Sequence, residues 1–394
     1  MWEQIRSNQT RTIVLVVSLG MVFLLLGYFL GIFFFDSGTL GVIIAIVVWA
    51  VMNLVAYFQG DNILLAISGA RKIGPDDHKR LYNVVEEMKI ASGLEKMPDI
   101  YIIDDPAMNA FATGRDPNKA AIAVTSGLLQ SLNRDELQGV VGHEIAHIKN
   151  RDVLLMAMCS VLLGTIVILA WYGSRFLFYG GIGRTRRTMS SGRGGGGAQL
   201  IIILVAVVLM ILAPIAAQSI YFAISRRREY LADASSALYT RYPLGLASAL
   251  EKIAASPHQL RTANQATAPM FIVNPFHKKM TELTSTHPPI AERVRILRSM
   301  AGASFADYDR AYREVKQDAR GVIRSTAAGL VPIRDPNPEP LDEVQQARET
   351  SDALWRLNNY ATITCTCGTK LKLPPSFSAP QVRCPHCGRL NPTR

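Results

Sequence analysis

The pentad His143-Glu144-Ile145-Ala146-His147 has the residue types and the spacing of a metal-dependent hydrolytic site. Residues i and i+4 of an α-helix lie on one face, so both imidazoles can bind the same ion. The Glu beside the first His can reach a water molecule on that ion. This H-E-x-x-H pattern is typical of zinc peptidases. It predicts His143 and His147 as zinc ligands and Glu144 as the general base.

A site of this type needs a third protein ligand and an open position for water. A long apolar segment begins at Val153, just after the pentad, and another ends at Ile224. An antiparallel pair of helices would return the chain to the same membrane face. Glu229 is the best-placed candidate ligand there, and Asp233, four residues on, could orient a ligand. A salt bridge between Glu229 and the preceding arginines is the alternative.

Composition indicates membrane segments. The chain has 394 residues, 49% of them hydrophobic, a net charge of +11 and a mean hydropathy of +0.17. Four apolar stretches are long enough to be transmembrane spans, and they predict two transmembrane helical hairpins: Thr12–Phe35, Thr39–Phe58, Val153–Phe178 and Leu200–Ile224. The basic residues cluster beside these spans, which favours charges that hold loops in the cytoplasm over a nucleic-acid surface.

An even number of spans returns every soluble segment to one side of the membrane. With a cytoplasmic N-terminus, the acidic turn at Asp36 faces outward, as the charge rule prefers. The Gly/Arg-rich loop 180–198 would also face outward, against the rule, unless the second hairpin does not fully cross. We expect a multi-pass protein of the cell membrane (the inner membrane of a Gram-negative cell) with a cytoplasmic catalytic domain.

The soluble part between the two hairpins reads as mixed helix and strand. A helix is predicted to open at Pro75-Asp76-Asp77 and to stop at Gly93. Asn133, three residues before Glu136, predicts a capping box at the start of the helix that carries the pentad. Three short runs are β-like: Ile100–Ile103, Ala110–Thr113 and Ala120–Thr125. The predicted fold class is mainly α with a small β-sheet.

Four cysteines crowd the last thirty residues, in one C-x-C and one C-x-x-C pair: Cys365, Cys367, Cys384 and Cys387. Thiolates in two such pairs can complete a closed tetrahedral zinc site, and they resemble the two knuckles of a zinc ribbon. Redox-active cysteines are the alternative. The module could bind a partner protein, nucleic acid or substrate.

Taken together, four motifs resemble the HtpX-type membrane zinc metallopeptidases, whose wider family includes the CAAX prenyl endopeptidases. They are the pentad, the stretch Asn109–Gly114, the stretch Glu229–Asp233 and the stretch Thr286–Arg293. The resemblance covers roughly residues 1–300. It implies a gluzincin-like site with Glu229 as the third zinc ligand.

The resemblance also implies roles for residues outside the ligand set. The strand of Asn109, Ala110 and Phe111 would be an edge that receives substrate as an added strand, a mode that needs only the substrate backbone. An ordinary core strand is the alternative. His287 and Arg293 would stabilise the oxyanion, which suits either side chain as a hydrogen-bond donor. A structural turn residue is the alternative for His287.

The predicted organisation has six segments. These are a transmembrane hairpin (1–60), the first catalytic half (61–152), a second hairpin (153–225), the second catalytic half (226–303), a charged linker with helices (304–358) and the zinc-ribbon-like module (359–394).

The expected function is zinc-dependent cleavage of misfolded or damaged membrane proteins, with one catalytic and one structural zinc. The expected partners are protein substrates and the lipid bilayer. A CAAX-type processing endopeptidase is a close alternative, although it would suit more spans than four. Two alternatives of other classes are a non-enzymatic membrane adaptor that carries a zinc ribbon and a nucleic-acid-binding membrane protein.

Overall fold

The computed structural model describes residues 2–154, 226–261, 270–273, 287–318, 321–323, 331–337 and 343–393. Within these residues the fold is mainly helical, with one four-stranded sheet and two two-stranded sheets. The predicted second hairpin, apart from its first two residues, and its Gly/Arg-rich loop lie outside the described part of the chain.

Two long helices form an antiparallel pair at the N-terminus: α1 (Trp2–Phe35) and α2 (Gly38–Ile67). The connection is short, and the Ser37 hydroxyl accepts a hydrogen bond from the first turn of α2. Small residues bring the helices close, since a Cβ on Gly31 would lie 2.5 Å from the Cα of Gly41. Among the described residues, α2 alone is long and apolar enough to cross a membrane. It runs nine residues beyond the predicted second span.

The three predicted β runs form strands, and a fourth strand joins them. The strands are β1 (Ala70–Ile73), β2 (Asp99–Ile103), β3 (Ala110–Gly114) and β4 (Ala120–Thr125). Their order is β1-β2-β4-β3, with β2 and β4 parallel and the other two pairs antiparallel. Ala110 stands opposite Val124. The strand predicted to receive substrate therefore lies at one edge of the sheet.

Helix α3 (Lys79–Ser92) begins later than the sequence predicts. The Asp77 carboxylate accepts the Gly74 N–H at 2.7 Å and closes a separate turn before the helix. His78 is the N-cap, because its Nδ1 accepts the Leu81 N–H at 3.2 Å. The start predicted at Pro75 is thus wrong, whereas the predicted stop at Gly93 is confirmed by its left-handed backbone.

The pentad lies on a deeply buried helix, α5 (Arg134–Lys149), which follows the short α4 (Ser126–Ser131). The predicted capping box is present, since the Asn133 side chain accepts the Glu136 N–H and the Glu136 carboxylate accepts the Asn133 N–H, both at 2.8 Å. A helix at 226–240 (α6) and helix α7 (Pro243–Ala255) pack against α5.

The remaining helices and strands are α8 (Ile290–Arg298), α9 (Phe305–Lys316), α10 (Glu343–Leu357), β5 (Ala361–Thr364), β6 (Lys370–Leu373), β7 (Gln381–Arg383) and β8 (Leu390–Pro392). Segment 304–358, predicted as a charged linker with helices, does contain helices. It is not a free tether in its described parts, because Tyr308, Ala311 and Ala353 are buried in the main core.

Gly139 sets the distance between α5 and α7. A Cβ at this position would lie 2.6 Å from the backbone nitrogen of Leu246. We expect Gly139→Ala to lower the free energy of unfolding by about 1–3 kcal/mol, because backbone atoms must move apart. Gly142→Ala is the matched control, since its Cβ would first meet the Ser236 hydroxyl at 3.1 Å, a side chain that can rotate. Thermal unfolding in detergent measures both, and equal stability of the two variants would contradict the packing argument.

Candidate active site

His143 and His147 lie one turn apart on the buried face of α5. Their side chains are 1% and 5% exposed, and their rings meet edge to face with centroids 4.8 Å apart. Their Nε2 atoms are 3.2 Å apart. Both nitrogens therefore point at one place in the core, as the i, i+4 spacing predicts.

Glu229 enters the same place from α6. Its Oε2 lies 3.6 Å from Nε2 of His143, and its Oε1 lies 3.5 Å from Nε2 of His147. The ligand atoms of the three residues lie within 4.8 Å of one another. The structure thus brings Glu229 to the two imidazoles, although it lies more than eighty positions after them in the sequence.

The spacing of these atoms fits a zinc ion. A tetrahedral zinc with bonds of about 2.0–2.1 Å places neighbouring ligand atoms roughly 3.3 Å apart, close to the spacings found here. Glu229 Oε2 is buried and accepts no hydrogen bond; Arg293 Nη1 lies 3.4 Å away, and a metal ion would satisfy the oxygen more closely. His143, His147 and Glu229 could therefore hold zinc.

The other ring nitrogens face carboxylates. Nδ1 of His143 lies 3.0 Å from Oδ1 of Asp233, and Nδ1 of His147 lies 3.4 Å from Oδ2 of Asp152. A carboxylate at Nδ1 fixes the tautomer that leaves Nε2 free to bind a metal. Asp233 is where the sequence predicts an orienting group. Asp152 is not predicted, although an acid five residues after the pentad is a signal that could have found it.

Arg293 on α8 is fully buried against Asp233. Its Nε donates to Oδ2 at 2.9 Å and its Nη2 to Oδ1 at 2.7 Å, a bidentate pair. Its Nη1 also lies 3.4 Å from Glu229 Oε2. The structure brings Arg293 into the cluster behind the imidazoles, and its predicted part in oxyanion stabilisation stays a prediction.

His287 lies beside the same carboxylate, with Nε2 at 3.7 Å from Glu229 Oε2. Burial lowers its pKa to about 4, so the imidazole is neutral at neutral pH. A neutral imidazole can still donate one hydrogen bond, as the predicted oxyanion role requires.

The Glu144 side chain extends from α5 to the edge strand β3, where it meets the Ala112 backbone. Its Oε1 is buried and has no hydrogen-bond partner. Burial raises the pKa of Glu144, while the two imidazoles and the Ala112 backbone amide act in the opposite direction. A buried carboxyl group with a raised pKa suits proton transfer near neutral pH.

Asn109, Ala110 and Phe111 run along the outer side of the sheet beside this cluster. Thr125 N–H donates to Asn109 C=O at 3.0 Å on the β4 side. On the outer side the Ala110 C=O accepts the Ile272 N–H at 2.9 Å. The edge predicted to receive substrate is therefore in contact with another segment of the same chain.

The C-terminal cysteines also converge on one point. The thiol sulfurs of Cys365 and Cys387 are 3.5 Å apart, and those of Cys367 and Cys384 are 3.7 Å apart. All four described cysteines are unbridged. Zinc–sulfur bonds of about 2.3 Å require roughly this spacing in a tetrahedral site. Convergence of all four sulfurs supports the zinc ribbon over a single redox pair.

Two similar turns shape this cluster. The Gly368 N–H donates to the Cys365 C=O at 2.8 Å, and the Gly388 N–H donates to the Cys384 C=O at 2.9 Å. Both glycines have positive φ, +85° and +75°, a conformation that side chains disfavour. The turns follow β5 and β7, as expected for the two knuckles of a ribbon.

The charges around the two imidazoles predict a pH-dependent metal affinity. Burial disfavours the charged imidazole of His147, but Asp152 and Glu229 outweigh it and raise its pKa to about 10. The pKa of His143 is raised as well, mainly by Asp233 and Glu229 against burial. Zinc must displace these protons, so its affinity should fall as pH falls below about 10, by about tenfold per pH unit for each proton released.

Chelator competition in detergent, between about pH 6 and pH 8, measures this slope. Asp152→Asn should make it shallower, because the anion that holds the proton on His147 is gone. A zinc affinity that does not change with pH would contradict the assignment of both imidazoles as ligands.

Comparison with known proteins places the chain in a family. Residues 75–301 match the model of peptidase family M48. The chain is 41% identical to the protease HtpX homolog of Thermoanaerobacter pseudethanolicus over 300 residues, 76% of this chain and 98% of that protein. It is 44% identical to the protease HtpX homolog of Dictyoglomus turgidum over 76% of this chain and 94% of that protein.

Among solved structures, the crystal structure of S. mikatae Ste24p matches 75% of this chain and 67% of that chain, with 21% identity and a TM-score of 0.42. The family match spans the pentad, Glu229 and Arg293, and it ends before the cysteine cluster. The chain therefore belongs to peptidase family M48 and is a metallopeptidase of the HtpX type, with a zinc-ribbon-like cysteine cluster beyond the matched residues.

Proposed function

We propose that the protein is a multi-pass membrane zinc endopeptidase that cleaves misfolded or damaged membrane proteins on the cytoplasmic side. The observation that carries the proposal is the convergence of three buried ligand atoms beside the unpartnered carboxylate oxygen of Glu144. A zinc ion held by His143, His147 and Glu229 would supply Lewis acidity at the scissile carbonyl and lower the pKa of water.

The chain's own residues then move the protons. Glu144 accepts the proton of the attacking water and passes it to the leaving amine. Its burial favours the protonated form after the first step. His287 is proposed as a hydrogen-bond donor to the oxyanion, with Arg293 as the second candidate. Asp233 and Asp152 hold the imidazoles in their metal-binding tautomer.

The edge strand β3 is proposed to bind the substrate backbone, which suits a broad range of sequences. Phe111 of this strand packs in an apolar cluster that includes Leu64 and Leu65, near the end of α2. The site thus lies close to the proposed membrane helix. This supports substrates that emerge from the bilayer over substrates that are wholly soluble.

The proposed membrane arrangement starts from α2, which is long and apolar enough to cross a membrane. Most of the exposed side chains along α2 are apolar, including Ile43, Val47 and Leu54, which suits contact with lipid. Two complete hairpins, the cytoplasmic orientation and the six-segment division stay proposals. The ribbon is proposed to bind a structural zinc and to offer a surface for another protein or a nucleic acid.

Glu144→Gln tests the chemistry directly. The variant should keep its zinc, because Glu144 is not a ligand, and should lose cleavage of a casein-type substrate by about 10²-fold to 10⁴-fold or more. Glu314→Gln is the control, since Glu314 is an exposed acid on α9. Metal analysis and a cleavage assay on the same detergent preparation measure both properties. Cleavage by Glu144→Gln at the wild-type rate would refute the proposal.

Metal content separates the two sites. We expect about two zinc ions per chain, one lost in His143→Ala together with activity, and the other lost in Cys384→Ser. The reason is that each substitution removes a ligand from one cluster alone. A single zinc that survives His143→Ala would mean that only the ribbon binds metal, and a non-enzymatic adaptor would then be the better explanation.

A further inference from the structure

Residues 270–273, Met-Phe-Ile-Val, lie along the outer edge of β3, and we call them the strap. The Ile272 N–H donates to the Ala110 C=O at 2.9 Å. The Phe271 ring meets the Phe111 ring edge to face at 5.2 Å. The pairings run antiparallel, so the strap takes the position of the next strand beyond the sheet edge.

Two residues of the site bind the strap backbone. The Asn109 side-chain amide donates to the Val273 C=O at 2.9 Å and accepts its N–H at 3.4 Å. Arg293 Nη1 donates to the Ile272 C=O at 3.2 Å. The backbone N–H and C=O groups of Ile272 and Val273 are thus all hydrogen-bonded, to Ala110, Asn109 or Arg293. Contacts to backbone alone are how an added strand of any sequence is recognised.

The strap reaches the ligand cluster itself. The same Arg293 Nη1 that donates to Ile272 lies 3.4 Å from Glu229 Oε2. A substrate strand on this edge would need the same Ala110 C=O as its acceptor and the same donor groups of Asn109 and Arg293. Strap and substrate therefore compete for one position.

The strap makes few described main-chain contacts with β3 itself. Five residue pairs join β3 to β4, whereas the described contacts between the strap and β3 include one main-chain hydrogen bond, that of Ile272. An incoming strand would replace each polar contact of the strap with an equivalent one. All four strap residues are buried, so an incoming strand must also replace their apolar contacts with side chains of its own.

We propose that the strap is a built-in pseudosubstrate, which holds the substrate position in the resting enzyme and leaves when a substrate strand binds. The proposal rests on the proposed function. It also defines a preference, because the Phe271 side chain is buried in the apolar cluster with Phe111, Leu64 and Leu65. A displacing substrate should place a large apolar side chain there.

Hydrogen exchange on the full-length protein in detergent tests the displacement. The probe is a short peptide hydroxamate, which combines a zinc-binding group with a peptide backbone. We expect fragments that contain the strap to exchange faster when the hydroxamate is bound, since the Ile272 and Val273 amides lose their acceptors. Unchanged or slower exchange, with cleavage fully blocked by the hydroxamate, would show a permanent strand and overturn the pseudosubstrate.

Ile272→Pro removes the amide that bonds Ala110 and should weaken the strap. We expect a several-fold rise in kcat/KM for a short unstructured peptide, and a smaller rise for Ile272→Val, which keeps the amide and loses one methyl group. A fall in kcat/KM with wild-type thermal stability would overturn the proposal. If Ile272→Pro does not fold, exchange on the wild-type protein decides the question.

Paired peptide substrates test the preference. Two quenched peptides built on Met-Phe-Ile-Val differ only by Phe or Asp at the position of Phe271. We expect the Phe peptide to be cleaved faster, and equal rates would overturn the assignment of the apolar cluster as its binding place. Absence of any zinc-dependent cleavage in the wild type would instead overturn the proposed function, and the pseudosubstrate with it.

Discussion

The structure depends on burying two imidazoles and one carboxylate within an apolar core. An uncompensated charge there costs several kcal/mol, so each group needs a partner of opposite charge. His143 has Asp233, which in turn holds Arg293. His147 has Asp152, whose other oxygen lies 3.7 Å from Arg228. Behind each imidazole, a carboxylate is thus followed by an arginine. These opposite charges compensate one another and permit the burial.

This charge alternation explains why distant segments must meet. The partners lie just after α5, on α6 and at the start of α8, and no single helix could supply them all. The α5 helix is held by its capping box at one end, where Glu136 also accepts the Lys252 ammonium of α7 at 2.8 Å. Gly139 lets α7 approach closely. The packing positions the imidazoles, while the charge pairs determine their tautomers.

Local features of this fold are readable from the sequence, and non-local ones mostly are not. The helical placement of the pentad and the capping box depend on spacing within one helix, so both are predicted correctly. Asp152 escapes prediction because it depends on how the chain turns after α5, where Arg151 has a φ of +58°. The start of α3 predicted at Pro75 is wrong because the Asp77 carboxylate closes a separate turn before the helix. The strap reads as an ordinary apolar run, and only its place beside β3 gives it meaning.

Described residues beyond the family match contact the catalytic helix and its neighbours. Arg334 donates to Asp135 at 2.6 Å and to Gln138 at 2.8 Å, both in the first turns of α5. Farther along, Thr350 of α10 lies 3.3 Å from Nε2 of His78, the cap of α3. The ribbon follows α10 directly, and Lys372 of β6 pairs with Asp352 at 2.8 Å. The segment between the family match and the ribbon therefore contacts α5 and α3, and the ribbon is joined to that segment by the ion pair of Lys372 with Asp352.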